Sequence, residues 1–358
     1  MESEFSLLLL RIDRAFAKKD WRSAEELCRQ AVELAPDDKL KAETLNSLAT
    51  SLGMQGEVAR ALSVLEQALA LDPSDAEAWS NRGIALDDLG RYQEALESCD
   101  RALAIDPKLA KAWNNRGNAL GDLGRYQEAV ESYDRALAID PKLAVAWYNR
   151  GTALSALGRH REAVESYDKA LAIDPKDAAA WSNRGNALAK LGRYQAALES
   201  CDRALALDPK LAPAWNNRGN ALRGLGRHRE ALESFDKALA LDPKFALAWN
   251  NRGSALGDLG RHEEALESYD KALALDPKFV PAWYNRGNAL AKLGRYQAAL
   301  ESYDKALALD PKLAQAWNNR GVALHDLGRH QEARESLERA AAFGLEAARK
   351  ALEELKDA

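Results

Sequence analysis

Hydrophobic and polar positions recur along this chain with a single period. In the segment from Ala110 to Leu143, Trp113, Gly117, Leu120 and Gly124 are spaced four, three and four, the stripe of a 3.6-residue helix. A second stripe, Tyr126, Ala129, Tyr133, Ala136 and Leu137, runs up to Asp140 and Pro141. The spacing predicts a helix A closed by Gly124, which tolerates the left-handed geometry of a helix end, and a helix B stopped by a proline that cannot continue it. Small inner residues (Gly117, Ala129, Ala136) let the two backbones approach, while Trp113 and Tyr133 fill the remaining space. On the outer side Glu131 and Arg135 stand in the favourable order of acid before base at i,i+4.

Eight of the nine tryptophans lie at 79, 113, 147, 181, 215, 249, 283 and 317, always 34 residues apart, and the prolines at 73, 107, 141, 175, 209, 243, 277 and 311 keep the same step. A fixed period marks a repeat array, so dividing 358 residues into two globular domains by length alone does not apply. With the Trp at repeat position 4, nine units run from 42 to 347 without an insertion. A degenerate copy at 5–38 precedes them, recognisable because Trp21 stands fifteen residues before Pro36, and Lys39, Leu40 and Lys41 are then inserted. The expected organisation is a degenerate N-terminal repeat and cap over 1–41, nine regular repeats over 42–347, and the end of a capping helix over 348–358, that helix spanning about 345–356. Leu345, Ala348, Leu352 and Leu355 form the apolar stripe that should cover the last repeat, as the end of a solenoid requires. At the front Arg11, Arg14 and Lys18 lie where a preceding repeat would sit, which predicts a solvated end.

The wording W-x-N-R-G-x-A-L-x-x-L-G-R-[YH]-x-x-A-[LV]-E-S-[YCF]-D-[KR]-A-L-A-[IL]-D-P resembles the tetratricopeptide repeat, in particular the long bacterial arrays of that family, over about 340 of 358 residues. The resemblance implies an all-α fold, a right-handed superhelical solenoid of about ten helical hairpins with a C-terminal capping helix. Helix A would line its concave face, where partners are usually held. Two positions depart from the family. Position 7, usually apolar, is Arg in eight repeats, and position 17 alternates between Tyr and His. Because helix B of one unit packs on helix A of the next, that Arg is expected to pair with the acid at position 25 of the preceding repeat, as Arg116 with Asp100, Arg150 with Asp134 and Arg218 with Asp202.

Charge narrows the function. Fifty basic residues against 55 acidic leave a net charge of -5, with both signs mixed inside every repeat, which disfavours a nucleic-acid partner needing a basic stripe. No apolar run approaches the length of a membrane span, and the Leu7 to Leu10 stretch follows Glu2 and Glu4 instead of a positive leader, so no membrane association and a cytoplasmic location are expected. Cys28, Cys99 and Cys201 share the repeat position that elsewhere holds Tyr133, Tyr167, Phe235, Tyr269 and Tyr303, and read as small buried hydrophobes. His160, His228, His262 and His330 all fall at position 17 on successive helices B, too far apart to share one metal ion, and read as packing substitutes for Tyr. His325, on helix A, reads as a solvated groove residue. Without a nucleophile–base pair, a metal set or a Gly-rich phosphate loop, no enzyme activity and no cofactor are expected.

Asparagine carries the sharper signal. Position 6 is Asn in eight consecutive repeats, at Asn81, Asn115, Asn149, Asn183, Asn217, Asn251, Asn285 and Asn319, and position 9 adds Asn118, Asn186, Asn220 and Asn288 to the same helix A face. Asn is a mediocre helix former, so this regularity needs a reason. A carboxamide offers a donor and an acceptor, matching the pair on a peptide backbone. The arrangement resembles the asparagine ladder in the repeat superhelix of protein O-linked N-acetylglucosamine transferases, implying a grip on an extended chain. On that reading Ala substitutions in the ladder should leave folding nearly untouched. The alternative is that these side chains bond the adjacent helix or ride along with repeat duplication. Specificity would come from variable positions, including Tyr148 and Tyr284 at position 5 and Asp87, Asp88, Asp122, Lys190, Arg223, Asp258, Lys292 and Asp326 at positions 12 and 13. The basic triplet with which chaperone-binding members hold a terminal carboxylate is missing, since position 2 is basic only at Lys111.

The sequence thus points to a non-catalytic scaffold that binds an extended protein or peptide segment of unknown identity, with Asn81 to Asn319, the position-9 asparagines, Tyr148, Tyr284, Lys190, Arg223 and Lys292 as its contacts. Two alternatives stay open. One is a structural module that self-associates through its ends or groove, for which Leu9, Leu10 and Phe16 supply apolar surface. The other is a substrate-recruiting arm of a larger enzyme complex, although no catalytic domain follows in this chain.

Overall fold

The computed structural model describes residues 2–354, with side chains from 4 to 352. The described residues are helical throughout, with 21 helices and no strand among them. They group into two compact units, 1–175 and 176–358.

The first unit holds five hairpins. They are α1 (Glu2–Ala17) with α2 (Trp21–Leu34), α3 (Asp38–Met54) with α4 (Val58–Leu71), α5 (Ala76–Asp88) with α6 (Tyr92–Ile105), α7 (Ala110–Asp122) with α8 (Tyr126–Ile139), and α9 (Ala144–Ala156) with α10 (His160–Ile173). The second holds α11 (Ala178–Lys190) with α12 (Tyr194–Leu207), α13 (Ala212–Gly224) with α14 (His228–Leu241), α15 (Ala246–Asp258) with α16 (His262–Leu275), α17 (Val280–Lys292) with α18 (Tyr296–Leu309), α19 (Ala314–Asp326) with α20 (His330–Ala342), and then α21 (Glu346–Glu354). Each helix packs on its hairpin partner and, within a unit, each B helix packs on the following A helix. This is an all-α solenoid of helical hairpins.

Two glycines per repeat explain the hairpin. Gly124 has φ of 75°, the left-handed conformation that ends helix A, as the spacing predicts. Gly117 instead makes room: a Cβ there would stand 2.4 Å from the Tyr133 ring, so only a bare backbone lets the ring lie across helix A. Cys99 and Cys201 occupy the same place beneath Gly83 and Gly185, fully buried, and burial pushes their thiols up to about 12.

The tryptophans sit elsewhere. They fill the seam between consecutive hairpins, where Trp79 and Trp113 flank Ala102, Leu103 and Ala112, and they remain half-exposed. Trp113 shows how such a ring is held. Trp113 donates from Nε1 to the Pro107 carbonyl (3.0 Å), with Arg116 at 5.7 Å and Arg135 at 4.9 Å from the ring centroid.

The position-7 arginines form the expected ion pairs. Arg116 reaches Asp100 at 2.7 Å, Arg150 reaches Asp134 at 2.6 Å and Arg218 reaches Asp202 at 2.7 Å. A second arm donates to a serine on helix B of the arginine's own hairpin, Arg116 to Ser132 at 2.8 Å and Arg218 to Ser234 at 2.8 Å. The guanidinium fork therefore ties consecutive B helices together, which a lysine could not do with fixed geometry.

The ends differ from the periodic reading in detail. The inserted Lys39, Leu40 and Lys41 form the first turn of α3, capped by Asp37, which accepts from the Leu40 amide at 2.8 Å. Arg11, Arg14 and Lys18 are exposed, as are Leu7 and Leu10. At the other end Leu345, Ala348 and Leu352 pack with Trp317, Leu337 and Ala340, while Leu355 lies outside the described residues.

Candidate binding groove

The position-6 asparagines lie half-buried along helix A. Their amides are engaged by the preceding A helix. Asn81 donates to Asn46 Oδ1 (2.8 Å), Asn115 to Ser80 Oγ (3.0 Å) and Asn149 to Asn114 Oδ1 (3.2 Å) and Asn118 Oδ1 (2.9 Å) in the first unit. In the second, Asn217 donates to Ser182 Oγ (3.1 Å), Asn251 to Asn216 Oδ1 (3.0 Å), Asn285 to Asn250 Oδ1 (3.0 Å) and Asn319 to the Tyr284 hydroxyl (3.1 Å) and Asn288 Oδ1 (2.9 Å). The position-5 amides close the chain, Asn216 donating to Asn217 Oδ1 at 3.4 Å and Asn250 to Asn251 Oδ1 at 3.3 Å. A run of side-chain hydrogen bonds thus links α11, α13, α15 and α17, and the ladder contributes to repeat stacking. Asn183 occupies the same register, half-buried, on α11.

Position 9 divides into two classes. Where position 24 of helix B is tyrosine, position 9 is polar and meets its hydroxyl. Tyr133 donates to Asn118 and Tyr303 to Asn288, both at 2.9 Å, while Tyr167 lies 3.3 Å from Thr152 and Tyr269 donates to Ser254 at 3.4 Å. Where position 24 has no hydroxyl, position 9 is apolar at Ile84 over Cys99 and at Val322 over Leu337. Asn186 over Cys201 and Asn220 over Phe235 break this rule, and neither makes a hydrogen bond to another described residue.

The second unit has a recess of about 710 Å³, lined by Asn186, Lys190, Asn217, Asn220, Arg223 and Asn251 among others. Lys190 is exposed, whereas Arg223 is held by Asp258 at 2.5 Å. The first unit has one of about 620 Å³, whose wall includes Asn81, Ile84, Asp87, Asp88, Asn115 and Asn118. Other expected contacts are less available. The Tyr148 ring lies 6.0 Å from that of Tyr167 and Tyr284 lies 6.3 Å from Tyr303, so both rest half-buried on core rings; Lys292 is exposed. Of the position-17 histidines, His160, His228 and His262 are half-buried, but His330 is exposed, its Nδ1 3.2 Å from Nδ1 of the exposed His325. No group of three metal-ligating side chains occurs among the described residues, and none of the described helices is long and apolar enough to cross a membrane.

Comparison with protein families finds a match to Tetratricopeptide repeat over residues 46–110, 148–212 and 216–278, more than half of the chain. The chain belongs to the tetratricopeptide repeat family. Further Tetratricopeptide repeat matches cover 13–74, 108–176, 268–301 and 314–343, and a TPR repeat match covers 287–328. Tetratricopeptide repeat arrays are protein-interaction scaffolds, which sets the class of function. No curated protein sequence matches. A tetratricopeptide repeat protein from Parabacteroides merdae is 20% identical with a TM-score of 0.59, over 70% of this chain and 98% of that one. A chain of the APC/C hetero-tetramer Cut9-Hcn1 is 16% identical with a TM-score of 0.55, over 98% and 96%. These two share the fold. YrrB, a TPR protein with an unusual peptide-binding site, is 27% identical with a TM-score of 0.44, over 51% and 95%.

One carboxyl in this tetratricopeptide repeat array is held against its own ionisation. Asp87 is pushed up to about 6, by burial first and then by Asp122 and Asp88, and its Oδ1 is shielded without a hydrogen-bond partner. Because the folded value lies above the ordinary 3.8, the stability it contributes is full below pH 3.8 and lost as pH rises through about 6. Asp87→Asn should therefore melt higher than the parent at pH 7.5 and alike at pH 3.5. Equal melting temperatures at both pH values would show that the carboxylate is not strained.

Proposed function

We propose that this tetratricopeptide repeat protein binds an extended protein segment along its helix A face, and that Asn186 and Asn220 are the free carboxamides that grip the partner's backbone. The observation that carries the reading is the exception at position 9. In the other six repeats from residue 76 onward, a polar side chain there has an internal hydroxyl partner or is replaced by an apolar one. Two unpaired amides in one recess are a cost to the free protein unless water or a ligand satisfies them. Each offers a donor and an acceptor to a peptide group, and the ladder amides of Asn217 and Asn251 beside them keep a second N–H. Lys190 and Arg223 at the rim would then select among side chains.

The test uses peptides selected from a random display library against the full chain. Asn186→Trp with Asn220→Trp fills the recess and should abolish binding while the helical circular dichroism is kept. Selected peptides that bind this variant as they bind the parent would remove the groove from the second unit.

A further inference from the structure

Many arginines of this array are matched inside it. Seven position-7 arginines lie within ion-pair distance of an acid, Arg91, Arg125, Arg159, Arg227, Arg261 and Arg329 at the start of helix B pair with glutamates three residues on, and Arg223 pairs with Asp258. The 620 Å³ recess of the first unit instead gathers several acids on one wall. Glu77, Asp87 and Asp88 of α5 line it, and Asp122 of α7 is close enough to act on Asp87. None of the four has a cation within ion-pair distance among the described residues, although Lys111 lines the same recess. Beside these acids the wall is apolar, with Ile84 44% and Val145 49% exposed.

We propose that this recess seats a lysine or arginine side chain of an extended polypeptide, the cation on Asp87 and Asp88 and a neighbouring apolar residue on Ile84 and Val145, which rests on the helix A face being the binding groove. Charge complementarity selects the occupant. An acidic segment would add like charge to an unneutralised site, and a purely apolar one would bury carboxylates without a partner. A cation beside an aliphatic residue meets both parts of the wall. It also relieves the like-charge crowding that helps push the Asp87 carboxyl up to about 6. The groups that meet Asp87 electrostatically are Asp88 on its own helix, Asp122 on α7, Cys99 on α6 and Tyr133 on α8, with Lys111 at the rim, so an incoming cation finds a net negative seat.

The test measures fluorescence polarisation of three labelled hexapeptides, alternating Lys-Leu, Gln-Leu and Glu-Leu, on the full chain at fixed ionic strength. The Lys-Leu peptide should bind, the Glu-Leu peptide should not, and Asp87→Asn with Asp88→Asn should weaken the Lys-Leu peptide by about tenfold or more. Glu97→Gln with Glu131→Gln, exposed acids on helix B, removes the same charge and should leave that affinity unchanged. Equal loss in both variants would reduce the effect to net charge and overturn the proposal, as would undiminished binding to the Asp87 and Asp88 variant. If the Gln-Leu peptide binds as well as the Lys-Leu peptide and both are blocked by Ile84→Arg, the cation seat fails while the groove reading stands. If no hexapeptide binds, the proposal also fails, and the display-selected peptides at Asn186 and Asn220 still report on the groove.

Discussion

Phe235→Ala is expected to destabilise the array by about 3–5 kcal/mol, the range for deleting a large aromatic ring from a core that collapses only in part. Phe235 is 0% exposed and lies under Gly219, where a Cβ would come within 2.6 Å of the ring. Gly219 itself has no side chain with which to fill the gap. In a repeat array each hairpin contacts only its neighbours, so the damage should stay local. Hydrogen exchange should show lost protection in α13 and α14 and near-parent protection in α19 and α20. A uniform loss along the unit, or a cost under about 1 kcal/mol, would contradict a core built hairpin by hairpin.

The second large effect is a crossover between two sets of asparagines on one face. Changing Asn217, Asn251 and Asn285 to Ala removes donors to Ser182, Asn216 and Asn250 and strands the acceptors behind them. At about 0.5–1.5 kcal/mol per bond, offset by the better helix propensity of Ala, the triple variant should lose about 1–3 kcal/mol of stability. Changing Asn186 and Asn220 to Ala removes no internal bond, so stability should hold or rise while a groove peptide binds about 5- to 150-fold more weakly. Urea unfolding and titration on both variants read the two outcomes. A position-9 double variant that loses stability but not affinity would make these amides structural.

Period, hairpin boundaries and the arginine clip are legible in the sequence because each depends on local spacing or on contacts between fixed repeat positions. The weight of the tryptophans is not. They are the loudest feature of the sequence, yet they lie half-exposed in the seam between hairpins, whereas Tyr167, Tyr303 and Phe235 are fully buried. Ridge position decides this, and composition does not reveal it. From its residues alone the ladder reads first as a grip on a ligand, with bonding to the adjacent helix as the alternative. The structure shows amide bonds of that second kind, because A helices of successive repeats pack closely enough for position 6 to reach position 5. The internal serine at position 23 escapes a reading by apolar stripes, although its fixed place before the core ring is visible in the repeat wording. The pairing of position 9 with position 24 is also visible in principle, since Ile84 goes with Cys99 and Asn118 with Tyr133. Only the hydroxyl geometry explains why Asn186 and Asn220 stand apart.

The most direct test of the helix A face is photo-crosslinking from two positions of the second unit. A photoreactive residue replaces Ala189, which lines the 710 Å³ recess, or Glu233, exposed on α14. Each full-length protein is irradiated with the display-selected peptides at matched saturation. The expected result is a crosslink from position 189, competed away by unlabelled peptide, and none from position 233. Crosslinking from 233 alone, or equally from both, would place the partner on another surface and contradict the assignment of the groove.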